Sequence, residues 1–168
     1  MKKDYAAAIL LLVLVGLGLG LRAMTGGAVK ENVHWCTKAA EDGNVEAQRA
    51  LGASYIIGQD VEKNPEKGVF WLTKAAEQGD AVSQFFLGGC YYDGEGVKKD
   101  YKQAAKWFAQ AAEQGHPVAQ CALGECYLKG RGVKKDMEQA KVWFGKSAAQ
   151  GNEDAKKVLQ SLSGMKQR

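Results

Sequence analysis

Apolar and small residues along this chain return on a beat of 36 positions. Leu51, Leu87, Leu123 and Leu159 fall in step, as do Trp35, Trp71, Trp107 and Trp143, and Tyr55, Tyr91 and Tyr127. Within a period the spacing is helical: Ala47, Leu51 and Tyr55 stand at i, i+4 and i+8, the stripe of a helix facing a core. Further on, Ala104, Trp107 or Phe108, and Ala111 form a second stripe. The tryptophans read as wedges that pack two helices together. Gly52, Gly88 and Gly124 sit inside the first helices, each costing roughly 1 kcal/mol against alanine. A cost repeated at one register predicts close backbone approach by a neighbouring helix. Gln160 takes that place in the last helix.

Polar punctuation separates the stripes. Gly43, Gly79, Gly115 and Gly151 predict left-handed helix ends. Asn44, Asp80, His116 and Asn152 follow as N-caps, and Pro117 suits a first helical position. Loops Gly94–Asp100 and Gly130–Asp136 share the form G-x-G-V-K-K-D; they lack the glycine–lysine–serine order of a phosphate loop, so their glycines read as turn residues. Asp100 and Asp136 then cap the second helices, with Gln103 and Gln139 at the capping-box position, and Asn64-Pro65 does the same work earlier.

A period of this length means stacked supersecondary units rather than one closed globule. The expected fold is all-α: a right-handed α-solenoid of antiparallel helix pairs, preceded by an N-terminal apolar helix. Residues 29–168 divide into a half unit 30–43, full units 44–79, 80–115 and 116–151, and a capping helix 152–163, eight helices in all.

Residues 1–28 stand outside the register. Lys2 and Lys3 precede an apolar run from Tyr5 to Leu21 that Arg22 closes. This is the pattern of an export signal, or of an anchor if it is never cut. The run is long for a signal core and short for a span, and Arg22 could snorkel to extend it. Uncleaved, residues 5–21 would hold the chain in an inner membrane with the repeats facing the periplasm; cleaved, the repeats would be soluble there.

Composition adds mostly exclusions. The net charge of +4 is small for 168 residues, and Lys98–Lys99 and Lys134–Lys135 recur with the loops, so they read as solvated charges rather than a nucleic-acid contact. Cys90 and Cys126 occupy equivalent points of successive units, too far apart for a disulfide, so the four cysteines read as free, buried or half-buried thiols. Cysteines and histidines show no metal-ligand spacing, and no cofactor is implied. No histidine shares a repeat position with Ser54 or Ser83, and the carboxylates fall on caps, loops and outer faces, so no catalytic residue is assigned.

Leu87, Gly88, Tyr91, Gly94, Gly96, Val97, Asp100, Ala104, Trp107, Ala111, Ala112 and Gly115 together resemble the Sel-1-like repeat, a branch of the tetratricopeptide class of α-solenoids. The first unit is looser, with Asp60 for the second loop glycine, Asn64 for aspartate and Gly68 for alanine. The resemblance implies an adaptor or scaffold for other proteins, often in bacterial envelopes. One branch of the family carries a regular cysteine pair in each repeat; this chain lacks that pairing. The function expected is a non-enzymatic, monomeric envelope adaptor with an unidentified protein partner. The alternatives are an immunity protein that neutralises a secreted effector enzyme and a cell-wall hydrolase or lactamase-like enzyme.

The units, compared with each other, suggest where a partner sits. Opposite the core leucine the first helices carry Arg49, Ala53 and Ile56, then Phe85, Gly89 and Tyr92, then Cys121, Glu125 and Leu128. These vary while the core positions stay fixed. A concave protein-binding groove of Arg49, Ile56, Phe85, Tyr92, Glu125 and Leu128 is one reading. Packing of these side chains against each other along the stack is the other.

Overall fold

A computed structural model describes residues 26–164 of the chain. The expected N-terminal apolar helix lies outside the described residues, as do residues 1–25 of the signal or anchor expected at 1–28; residues 26–28 are the first turn of the first described helix. Among the described residues no helix is long and apolar enough to cross a membrane.

Eight helices follow one another among the described residues: α1 (Gly26–Glu41), α2 (Val45–Ile57), α3 (Pro65–Glu77), α4 (Ala81–Asp93), α5 (Tyr101–Glu113), α6 (Pro117–Lys129), α7 (Met137–Ala149) and α8 (Glu153–Gly164). Each packs on the next, so α2–α3, α4–α5 and α6–α7 are the helix pairs, with α1 and α8 closing the ends. The turns between pairs are tight. At the first, the N–H of Gly43 (φ +91°) bonds the Ala40 carbonyl and that of Asn44 bonds the Ala39 carbonyl, satisfying orphan acceptors at the end of α1. Asn44, Asp80 and His116 cap α2, α4 and α6 as expected, and Asn152 Oδ1 accepts the Ala155 N–H at the start of α8.

Asp100 and Asp136 cap α5 and α7, each accepting two N–H groups. The reciprocal half of the expected capping box is replaced. The backbone N–H of Asp100 donates to the Tyr91 carbonyl at 2.9 Å, and Asn64 and Asp136 do the same to Tyr55 and Tyr127. With that donor already satisfied, Gln103 and Gln139 remain exposed. The second loop glycine has its own necessity. At φ +71° a Cβ on Gly96 would strike the Pro65 carbonyl, and one on Gly132 would strike that of Tyr101. Asp60 fills this place in the first unit at φ +63°, a left-handed conformation that aspartate tolerates better than most residues.

The glycines inside the first helices do let the second helices close in. A Cβ on Gly88 would sit 2.6 Å from the Phe108 ring, one on Gly124 3.0 Å from the Phe144 ring, and one on Gly52 2.8 Å from Leu72. The wedge is therefore Leu72, Phe108 or Phe144, one residue after each tryptophan. The tryptophans themselves are not core wedges. Trp71, Trp107 and Trp143 are half-buried, each packing from the side on a cluster shared by the first helix of its own unit and the helix before it, and Trp35 is 59% exposed.

A second device recurs with the same period. Gln48, Gln84 and Gln120 are buried, and their amide nitrogens donate to the carbonyls of Ala40, Ala76 and Ala112 on the helix before. Their amide oxygens accept from Gln78, Gln114 and Gln150 at the end of the helix after, at 2.7–2.8 Å. Each buried amide thus clasps three consecutive helices.

These contacts set two expectations for urea unfolding. Gly88→Ala, which drives a methyl into Phe108, should lose about 1–3 kcal/mol, whereas Gly89→Ala, with nothing within 4 Å of its Cβ, should gain roughly 0.5–1 kcal/mol. Gln84→Ala should lose about 1–3 kcal/mol, the cost of stranding buried partners; a neutral result would remove the clasp from the account of stability.

Candidate functional site

Residues at i, i+4, i+7 and i+11 fall on one narrow stripe of a helix. On α2 that stripe is Glu46, Ala50, Ala53 and Ile57; on α4 it is Val82, Phe86, Gly89 and Asp93; on α6 it is Val118, Ala122, Glu125 and Lys129. None of these residues is buried. Ile57 is 65%, Val118 46% and Phe86 39% exposed. Phe86 stands between the alanines of its neighbours, and Gly89 below it leaves bare helix facing open space. Glu125 and Lys129 pair on one flank. The stack therefore presents an apolar first-helix face with a low floor of small residues.

The residues singled out from sequence lie mostly beside this face rather than on it. Of the six, only Glu125 belongs to the exposed stripe. Arg49, Ile56, Phe85, Tyr92 and Leu128 are half-buried and turned toward neighbouring helices. Arg49 bonds the Asp80 carboxylate at 2.8 Å, the same group that caps α4. Phe85 stacks on His116, the cap of α6, with centroids 5.2 Å apart. Ile56 lies over Gly68, and Leu128 packs on the cluster of Cys121, Phe144 and Ala155. Tyr92 meets Tyr101 edge-on and accepts a hydrogen bond from Arg131, whose guanidinium lies over both rings. Of the two sequence readings, the side-chain contacts found at these five positions are those of packing along the stack. The exposed apolar groups sit one residue further on, at Phe86 and Ile57.

Chemistry at the remaining candidates is quiet. All four cysteines are free, as expected. Burial pushes the thiols of Cys90 and Cys126 up to about 11, with neighbouring carboxylates adding to it, so both stay protonated near neutrality and lack the thiolate of a nucleophile. Among the described residues no group of three or more His, Cys, Asp or Glu is placed to hold a metal ion.

Comparison with known protein families matches residues 33–44, 45–80, 81–116 and 117–152 to the Sel1 repeat, the three full repeats each one residue later than the units read from sequence. Among solved structures the chain is similar to a Sel1 repeat protein from Oxalobacter formigenes, at 44% identity over 77% of this chain and 98% of that one, with a TM-score of 0.70. It is also similar to c5321, a protective antigen present in uropathogenic Escherichia coli strains and displaying an SLR fold. That likeness has 34% identity and a TM-score of 0.80, and covers 90% of this chain but only 32% of the antigen. Helicobacter pylori cysteine rich protein B aligns at 27% identity over 82% of this chain and 98% of that one, with a TM-score of 0.63. Curated proteins provide no match.

His116 makes the α6 cap sensitive to pH. Its Nδ1 accepts the Ala119 N–H at 3.2 Å, which only the unprotonated nitrogen can do. Burial lowers its pKa from the ordinary 6.5, and the Asp80 carboxylate opposes this in part. The folded state therefore favours the neutral ring. Its contribution is full above the unfolded value and is lost as pH falls through the lowered folded one. His116→Asn, which keeps a cap that does not titrate, should lose less stability than wild type between pH 7.5 and about 5; parallel urea midpoints across that range would remove His116 as the titrating cap.

Proposed function

We propose, starting from the fact that the chain belongs to the Sel1 repeat family, that it is a non-enzymatic adaptor of the bacterial cell envelope holding a protein partner against its first-helix face. Sel1 repeat proteins are generally protein–protein interaction scaffolds. The observation that carries the reading here is the set of exposed apolar groups Ile57, Phe86 and Val118, one on each first helix, with half-buried Val82 beside Phe86 and open space at Gly89. Such a patch with small residues beneath it suits the apolar side chains of a docked helix or extended segment. The apolar run at residues 5–21 supports an envelope location, either anchored in the inner membrane or released into the periplasm after cleavage. The repeats then act as a monomeric platform with no cofactor.

Two substitutions address the face without touching the core. Phe86→Asp places a charge on the patch, and Gly89→Arg fills open space in a helix that gains from losing glycine. In cross-linked capture from the native envelope, both should lose a partner that wild type retains, with helicity unchanged, Phe86→Asp within about 0.5 kcal/mol of wild type and Gly89→Arg more stable by roughly 0.5–1 kcal/mol. Tyr92→Asp serves as the contrast, since it should act by unfolding. Undiminished capture by both face variants would place the binding surface elsewhere.

A further inference from the structure

The connections between paired helices, residues 58–64, 94–100 and 130–136, lie along one edge of the stack, because α3, α5 and α7 all begin there. In the second and third units this edge carries Lys98, Lys99, Lys102, Lys134 and Lys135, all exposed. None of the five joins an ion pair among the described residues. Most nearby carboxylates are committed: Asp100 and Asp136 each hold two backbone N–H groups, Glu95 pairs with Lys63 at 2.9 Å and Glu138 with Lys141, while Asp93 adds one exposed carboxylate beside the first loop.

Between the two loops runs a shallow groove whose lining includes Lys99, Lys102 and Lys134, Tyr101 and Gly132, and one carboxylate, Asp100, which is engaged as the α5 cap. Its walls are fixed. Gly132 presses on the Tyr101 carbonyl, and the Arg131 guanidinium lies 5.4 Å from the Tyr101 ring. We propose that this loop edge is a second docking surface, distinct from the first-helix face, and that its partner is an acidic peptide segment.

Lysines without carboxylate partners on both lips of a groove call for anionic groups at matched spacing. Stacked helices stand roughly 8–10 Å apart, about one three-residue turn of a polyproline-II chain, so a segment in that conformation with acidic residues every third position would meet both units. The first unit argues for a narrow chain rather than a bilayer. Its part of the edge carries Asp60, Glu62 and Glu66 against Lys63 and Lys67, all exposed, so the excess of lysine ends at the second unit and a membrane laid across the edge would gain nothing there. A peptide can run over the second and third units alone.

The test uses the full chain in mild detergent and fluorescein-labelled octaglutamate, read by anisotropy at low salt. Binding should weaken as salt rises, and Lys99→Glu with Lys134→Glu should weaken it about tenfold. Lys38→Glu with Lys74→Glu, the same charge change away from this edge, should change it less than about twofold, and so should Phe86→Asp. Equal losses in the two double variants would reduce the effect to net charge and overturn the proposal, as would no binding at all. Displacement of the peptide by phosphatidylglycerol vesicles or oligothymidylate at lower charge concentration would overturn it too, in favour of a lipid or nucleic acid.

Discussion

Each unit of this stack buries one glutamine amide, and that amide must be satisfied from both sides. Apolar contacts among Ala, Leu and Phe are non-directional and would tolerate a slip along the helix axis. The amides of Gln48, Gln84 and Gln120 do not, because each needs a carbonyl on the helix before and a glutamine on the helix after. A shifted register would strand two or three buried polar groups per unit, at about 1–3 kcal/mol each. The glycines then set the distance: Gly52, Gly88 and Gly124 let Leu72, Phe108 and Phe144 rest against bare helix. Register comes from hydrogen bonding and separation from the absent side chains. The device stops at both ends. Asp42 stands where Gln78 does in the next unit, and Lys156 where Gln120 does in the previous one, so charge replaces the clasp.

Much of this was legible in sequence because it is local. Helix caps, turn glycines and the 36-residue period depend on residues close in the chain, and each came out where its chemistry predicts. What escaped was relative to neighbours. Trp107 and Phe108 are both large, apolar and 100° apart on the helix, so periodicity alone cannot say which one enters the core. The glutamines were visible as repeats at 48, 84 and 120 and at 78, 114 and 150. Polar residues are ordinarily assigned to solvent, yet an unvarying polar position among varied surface ones is the signal that could have found them.

The candidate site shows the same limit from the other side. Variation between units reads as a sign of binding at Arg49 and Phe85. In the structure position 49 faces the Asp80 cap 31 residues later, and position 85 faces the His116 cap at the same offset. Where the cap is a carboxylate its neighbour is a guanidinium; where it is an imidazole its neighbour is a phenyl ring. The variation is matched pairwise along the stack, which a comparison of isolated units cannot reveal. Structural pairing and functional divergence leave the same trace in one sequence.

Two apolar surfaces remain exposed once the packing is assigned, and they differ in kind. On the second-helix side Lys74 lies over Phe70, Lys106 over Trp107 and Lys146 over Trp143, within 4.1–6.0 Å of the ring centroids. These rings keep water contact while a lysine stem and its charge cover part of each face. Phe86, Val118 and Ile57 have no such cover among the described residues. Phe86 touches the Phe85 ring, with centroids 5.7 Å apart, but none of the three is buried in a core cluster, and exposed apolar groups promote association. The stack itself needs no large side chain there, since alanine holds the position of Phe86 in both neighbouring units. A ring kept where alanine would serve the fold is better explained by a partner than by packing, and this is the physical ground for placing that partner on the first-helix face.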